Sequence, residues 1–537
     1  MAASGGSSGR REIGPLWNEP IFRLAKPVRR GILRLIFSRF LVFILLLVLQ
    51  VLLIIGFYRW LSGIYPWIST LLRVFTLAMV IYLFNSGMDS SARLTWMLLI
   101  ALIPLPGAAL LWFTQFDVGH RRVRRRVEEL IDATRDALPQ PAGVQEALEA
   151  DGGGTEDLCT YLNRSGCFPT YDDTEAVYLP SGEAKLAALL PELEKAEEYI
   201  YLEYFIIEEG VMWGSVLKLL TEKAAAGVDV RVMYDGMCEM HSLPVNYRKL
   251  LRQKGIRAKA FSPIRPVVSS QYNYRDHRKI LVIDGKVAFT GGVNLADEYL
   301  DRGASRFGRW KDAAVMLRGS AAASFTLMFL QLWNIDEKTA EFPAFPLPQP
   351  PEKKPGGWVL PYADCPLDAD KVGETVYMDV LNRAGDYVHI MTPYLILDGE
   401  MEAALVYAAQ RGVDVKLILP GIPDKKMAWA LAKSHYRRLL AAGAEIYEYT
   451  PGFVHSKVFV SDGCRAVVGT INLDYRSLYH HFECAAYLYR VPCIREIEAD
   501  FQETLALCRR VTPETVKKEK LFYRLAGSLL KFLAPLM

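Results

Sequence analysis

The chain has 537 residues, 51% of them hydrophobic, and a formal net charge of only +3. That length suits two or three domains, and so small a charge provides no broad basic groove, so no nucleic acid is expected as a partner. The eight cysteines, at 159, 167, 238, 365, 464, 484, 493 and 508, form no C-x-x-C pair and no zinc spacing; they read as free thiols in a reducing compartment.

In chain order, residues 1–39 form a basic arm carrying Arg23, Lys26, Arg29, Arg30, Arg34 and Arg39. The stretch 40–58, FLVFILLLVLQVLLIIGFY, has no charge and is long enough to span hydrocarbon. Two further apolar segments follow, at about 65–84 and 94–114, so the region 40–116 reads as transmembrane helices. The last is uncharged with Trp96 and Trp112 near its ends, as at a membrane interface. The middle one is weaker because it holds Pro66 and Arg73. Residues 117–175 form a basic juxtamembrane segment and linker, with Arg121, Arg122, Arg124, Arg125 and Arg126. The positive-inside rule draws both basic flanks to the cytoplasm. That gives two spans plus an interfacial helix, or three spans with the N-terminal arm overruled; either way the large domain faces the cytoplasm. Arginines beside a bilayer also attract anionic head groups, so an anionic membrane surface is an expected partner.

The rest of the chain is duplicated. GVDVRVMYDG (227–236) corresponds to GVDVKLILPG (412–421), and YIYLEYFII (199–207) to YVHIMTPYLI (387–396). Apolar β-branched runs alternate with helical stretches, which predicts an α/β domain at 176–340 and another at 358–512. The Pro-rich 341–357, EFPAFPLPQPPEKKPGG, reads as an extended linker between them. The two copies are expected to pack about a pseudo-twofold axis with one shared site.

Each copy holds the pattern His-x-Lys-x-x-x-x-Asp: His277, Lys279 and Asp284 in the first, His455, Lys457 and Asp462 in the second. Two matches in a chain with eight histidines have a chance of roughly 0.0002 from composition alone. On a strand, residues i and i+2 share a face, so each His projects with its Lys. A neutral imidazole can displace at phosphorus, and a second can protonate the leaving alcohol and deprotonate the incoming one. Two lysines would neutralise the phosphoryl oxygens, and Asn294 in GGVNL and Asn472 in GTINL would donate to them. With that charge supplied, no metal and no cofactor is required. Asp312 and Glu483, one downstream of each motif, are candidates to orient the imidazoles. Asp284 and Asp462 complete the catalytic motifs, yet their odd offset turns them to the opposite face, which suits closing a strand end.

The C-terminal segment 513–537 places Leu521, Leu525, Leu529, Phe532, Leu533 and Leu536 on one helical face, with Lys517, Lys518, Lys520, Arg524 and Lys531 nearby. Such an amphipathic helix suits either a membrane surface or the body of the protein.

Together these features resemble the phospholipase D superfamily and, more narrowly, the bacterial cardiolipin synthases. The resemblance covers most of the chain: PLPGAALLWF, YLEYFI, GVDVRVMYDG, HRKILVIDGKVAFTGGVNLADEY, GRWKDAAVMLRG, TPYLILD, HSKVFVSD, GTINLDYRSLYHHFE and the final PLM. It implies two phospholipase D-like domains behind N-terminal transmembrane helices, in a multi-pass protein of the bacterial cytoplasmic membrane. It implies a ping-pong transfer from one phosphatidylglycerol to another, giving cardiolipin and glycerol. His277 would be the nucleophile, His455 the acid and base, and Asp312 and Glu483 their buttresses. The chain departs from the family at Ala313-Ala314, where polar residues are usual. The competing readings are a membrane-bound phospholipase D with water as acceptor, and a transferase using phosphatidylethanolamine as co-substrate.

Overall fold

A computed structural model describes residues 65–536 apart from 117, 167, 245, 264–272, 302–305, 343–353, 369 and 520, together with positions 52, 56 and 63. The basic arm, nearly all of the 40–58 segment and most of the Pro-rich linker lie outside the described residues.

Among the described residues, the segment that holds Pro66 and Arg73 forms a long helix. Helix α1 runs Pro66–Phe84, with Pro66 in its first turn, where the missing N–H costs nothing and the fixed φ suits a helix start. Its Trp67–Phe84 stretch has a mean hydropathy of 1.8, and 18 residues rise about 27 Å, near the thickness of a bilayer's hydrocarbon. Among the described residues it is the one helix long and apolar enough to cross a membrane. The 94–114 segment is not one span. It divides into α2 (Ser90–Leu102), capped by the Asp89 carboxylate, and α3 (Pro104–Phe116). Each is about 20 Å long, too short to cross. Pro104 cannot donate to the helix before it, and a Cβ on Gly107 would sit 3.0 Å from Leu99 Cδ2. The chain therefore folds back on itself at Ile103. The 94–114 segment, expected as a span or an interfacial helix, is thus a bent pair of short helices. After it, α4 (Val118–Ala133) carries the arginine cluster.

The first half contributes β1 (Glu175–Leu179), β2 (Tyr199–Tyr204), helix α5 (Val211–Ala225), β3 (Asp229–Asp235), β4 (Arg257–Phe261), β5 (Arg275–Asp276), β6 (Lys279–Ile283), β7 (Val287–Gly291), β8 (Arg309–Lys311), β9 (Ala314–Arg318) and helix α6 (Ala321–Trp333). Seven of the strands form a mixed sheet ordered β1-β9-β7-β6-β2-β3-β4.

The second half contributes β10 (Trp358–Asp364), β11 (Tyr387–Met391), helix α7 (Gly399–Gln410), β12 (Asp414–Pro420), helix α8 (Lys426–Ala442), β13 (Glu445–Tyr449), β14 (Gly452–Val454), β15 (Val458–Ser461), β16 (Arg465–Gly469), β17 (His481–Tyr489) and β18 (Cys508–Arg510). Its sheet runs β10-β17-β16-β15-β11-β12-β13-β18, the same order with one added edge strand.

The duplication extends to the backbone. Gly227 and Gly412, just past the ends of α5 and α7, both have φ +96°, the left-handed conformation that ends a helix cheaply only at glycine. The strands that follow are the repeated GVDV runs. One face of each sheet is covered by its own helices. The other faces meet in one core, where Ile280, Val282 and Leu317 of the first sheet join Val458, Val460 and Leu488 of the second. Helix α6 is buried along its whole length, as an all-round apolar helix must be.

Two short helices end the chain, α9 (Pro513–Lys517) and α10 (Leu521–Leu533). Helix α10 packs closely on α8: a Cβ on Gly527 would stand 2.5 Å from the Ala430 carbonyl oxygen. The row Leu521, Leu525 and Leu529 nonetheless stays 62–66% exposed. The helix therefore lies on the body and keeps its apolar face free.

Candidate active site

The two halves exchange strands at the site. The short β5 leaves its own sheet and pairs in parallel with β17, Arg275 against His481 and Asp276 against Phe482. The His277 N–H then donates to the Phe482 carbonyl at 3.0 Å. In the other half β14 pairs in parallel with β8, Val454 against Lys311, and the His455 N–H donates to the Lys311 carbonyl at 2.7 Å. Each histidine thus sits just before its sheet strand, on the far side of the interface. The residue after each accepting carbonyl is an acid, Glu483 in one case and Asp312 in the other.

The acids consequently serve the opposite half. His277 Nδ1 lies 2.8 and 2.9 Å from the two Glu483 oxygens. His455 Nδ1 lies 2.7 Å from Asp312 Oδ2. Both acids are buried. With Nδ1 held by a carboxylate, the free lone pair of each neutral imidazole is on Nε2. Lys279 and Lys457 are also buried. Lys279 donates to the His277 carbonyl at 2.6 Å, and Lys457 Nζ lies 3.0 Å from His455 Nδ1 while bonding the His455 carbonyl.

Burial governs the protonation of this cluster. It lowers His277 well below 6.5, reinforced by the Lys279 charge, and takes His455 down to about 4 with help from Lys457. It also lowers Lys279 to about 8 and Lys457 to about 7. The two acids diverge. Burial raises Glu483 well above the carboxylate range despite Lys279. Burial pushes Asp312 up too, but the His455 and Lys457 charges outweigh it and leave it lowered.

The acids are also held differently. Thr470 donates its hydroxyl to Glu483 Oε2. The equivalent residue in the first half is Gly292, where a Cβ would stand 2.0 Å from Asp312 Oδ1. Asp312 instead takes the Ala313 N–H at 2.8 Å. Ala313 and Ala314 are core residues, so the departure from polar residues there removes no group from the cleft. Gly292→Ala forces the carboxylate end of Asp312 aside. A flexible side chain yields cheaply, so the melting temperature should hardly move, while misplacing the His455 partner costs activity by about 10- to 100-fold. Steady-state kinetics beside a thermal melt checks this.

The other predicted residues are spread more widely. Asn294 is already engaged: its Oδ1 accepts from Ile206 N at 3.1 Å and its Nδ2 donates to Tyr299 Oη at 2.6 Å. Asn472 is buried with its Oδ1 unpartnered. Asp284 and Asp462 lie away from the histidines, both with φ 52° at strand ends. Asp284 accepts from the N–H groups of Glu197, Glu198 and Tyr199, and Asp462 from those of Gly385, Asp386 and Tyr387. They anchor the starts of β2 and β11, which is the strand-end role that their odd offset suits.

Three groups were not anticipated. His481 brings a third imidazole, its ring 5.3 Å from that of His277 and its Nδ1 3.7 Å from Glu483 Oε1. Phe205 stands edge-on to His277 and Tyr299 edge-on to His455. The doubled His480-His481 before Phe482-Glu483 was the available signal for the first. Among the described residues, ligand atoms of His277, His481 and Glu483 come within 4.8 Å of one another, as do those of Asp89, Asp398 and Glu400. The first grouping could take a transition metal only by breaking the His277–Glu483 contact.

Two like sheets, each lending a strand to the other's histidine, define a phospholipase D-like class of fold. A solved phosphatidylserine synthase of Haemophilus influenzae shares it, with a TM-score of 0.54 at 15% identity over 71% of this chain and 97% of that one. The family described as cardiolipin synthase, PLD-like domain, matches residues 189–331 and 377–505. A cardiolipin synthase of Alkalihalophilus pseudofirmus is 33% identical over 88% of this chain and 94% of its own length. An uncharacterized protein of Streptococcus mutans is 54% identical over 85% of this chain and 99% of its own. The chain belongs to the cardiolipin synthase family of phospholipase D-like proteins.

Proposed function

We propose that the protein joins two phosphatidylglycerol molecules into cardiolipin and releases glycerol, through a phosphohistidine. The observation that carries this reading is the crossed pair of His–carboxylate contacts with two buried lysines beside them. His277 Nε2 attacks phosphorus, and the P–O bond to glycerol breaks. The departing oxygen takes a proton from His455. The terminal hydroxyl of a second phosphatidylglycerol then gives its proton to His455 and attacks phosphorus, breaking the P–N bond and freeing His277. Lys279 and Lys457 stabilise the charge that gathers on the phosphoryl oxygens. Burial and the Lys457 charge both depress His455; the entering phosphodiester anion opposes that shift and favours the imidazolium that the first step needs.

The lipid substrates and the apolar N-terminal region fit a protein of the bacterial cytoplasmic membrane. In this reading α1 spans the bilayer, the bent α2–α3 pair lies in the interface, and the catalytic halves face the cytoplasm beside the α4 arginines. Exposed Leu71, Val74, Leu77, Ile81 and Phe84 on α1 support it. The two-step route has its own test. Labelled glycerol should enter phosphatidylglycerol when the protein acts on that lipid alone. Glycerol can also enter by reversal of a direct transfer, so the deciding observation is the covalent one: turnover quenched in base should leave a lipid-derived phosphodiester on the peptide that holds His277, and a direct attack of one lipid on the other leaves that peptide unmodified.

A further inference from the structure

A cavity of about 650 Å³ lies between α8, α9 and α10 and is lined by none of the residues of the catalytic cleft. Its size is within the range of about 300–1,000 Å³ of pockets that enclose small ligands. Five of its lining side chains are basic and two acidic. Lys433 and Arg509 are neutralised by Glu448 and Glu519. Arg437, Lys517 and Arg524 line the same cavity, and none of the three makes an ion pair among the described residues. Lys517 also acts on Glu514, which leaves Arg437 and Arg524 as the cations best placed to recognise an anion in this cavity.

The apolar surroundings specify the source of that anion. The cavity wall α10 carries the exposed row Leu521, Leu525 and Leu529, and Met427 at the start of α8 is 56% exposed. The far end of α10 is tied to the apolar N-terminal hairpin: Thr95 Oγ1 in α2 donates to the Phe532 carbonyl at 2.8 Å. On α2, Leu94, Leu98 and Leu102 are exposed. An apolar surface thus continues from the membrane-side helices along α10 to the mouth of a cationic pocket. A free phosphate would use the cations and leave the leucines uncovered. A phospholipid uses both.

We propose that this pocket is a binding site for the head group of an anionic phospholipid in the bilayer, separate from the catalytic site, with the acyl chains along the leucine row of α10. Arg437 and Arg524 hold the phosphate, and Lys517 adds charge at the rim. The site does not depend on the catalytic reading, because binding can be read without turnover.

The test uses the full chain in phosphatidylcholine nanodiscs containing a photoactivatable diacyl phosphatidylglycerol. Labelled peptides are mapped by mass spectrometry. The probe should mark peptides from 426–442 and 513–533, and Arg437→Gln with Arg524→Gln should reduce that labelling about tenfold or more, the effect of losing one charge-assisted contact or two. Labelling of the peptides that hold His277 and His455 should be unchanged, which also shows that the variant is folded. Equal labelling in parent and variant, or equal labelling by a photoactivatable phosphatidylcholine, would overturn the proposal. So would complete displacement of the lipid by excess inorganic phosphate, which would make the site one for the free anion.

Discussion

Replacing His277 by alanine leaves cardiolipin formation at least about 10⁴-fold below the parent, as does replacing His455, and the double variant is no slower than either single one. The two imidazoles act on one phosphorus, so removing either removes the whole route. A 10⁴-fold loss is about 5 kcal/mol of barrier. The folding cost is smaller. His277→Ala strands Glu483 in the core, but burial already pushes that carboxyl well above its usual range. Without the imidazole it can take up a proton there for about 1–3 kcal/mol, against a typical fold stability of about 5–15 kcal/mol. The variants should therefore keep their melting transition and lose turnover. Lipid product assays beside thermal melts check both. A His277→Ala protein that is folded and still makes cardiolipin at a tenth of the parent rate would remove His277 from the chemistry.

Glu483→Gln should lower kcat by about 10²- to 10⁴-fold through His277, the size of effect seen when an orienting carboxylate becomes an amide. Gln keeps the shape but offers only one oxygen where Glu483 presents two within 2.9 Å of His277 Nδ1. The half of the site that responds is the informative part. The Glu483 change should move the ¹⁵N resonances of His277 most, while Asp312→Asn should move those of His455, because His455 Nδ1 is 2.7 Å from Asp312. Selective histidine labelling resolves this in a chain with eight histidines. Responses confined to the same half, Glu483 to His455 and Asp312 to His277, would contradict the exchanged strands.

The repeat was legible because its signals are local. The GVDV runs, the glycines after α5 and α7 and the two His-x-Lys motifs recur in order, and each is dictated by strand or turn geometry nearby. The odd offset of Asp284 and Asp462 likewise placed them off the reacting face, where they now bind backbone N–H groups. What could not be read is what depends on the packing of the halves. The sequence showed one acid beyond each motif, but only the pairing of β5 with β17 and of β14 with β8 sends each acid to the other histidine. His481 went unnoticed for the same reason, since it becomes a neighbour of His277 through that pairing. The membrane segments are legible in part. Pro66 was weighed as a breaker although it begins a helix, and Pro104 was absorbed into an apolar run although it bends the chain. Hydropathy averages over a window, and proline acts at one position.

The most direct test of the shared transfer site is the product formed from phosphatidylglycerol as sole lipid, with purified full chain in mixed micelles and chelator present. Cardiolipin and glycerol should be released in equal amounts, and both should vanish in His277→Ala. Phosphatidic acid in place of cardiolipin would make water the acceptor and the protein a phospholipase D. Turnover abolished by the chelator and restored by a divalent ion would show that the two lysines do not suffice.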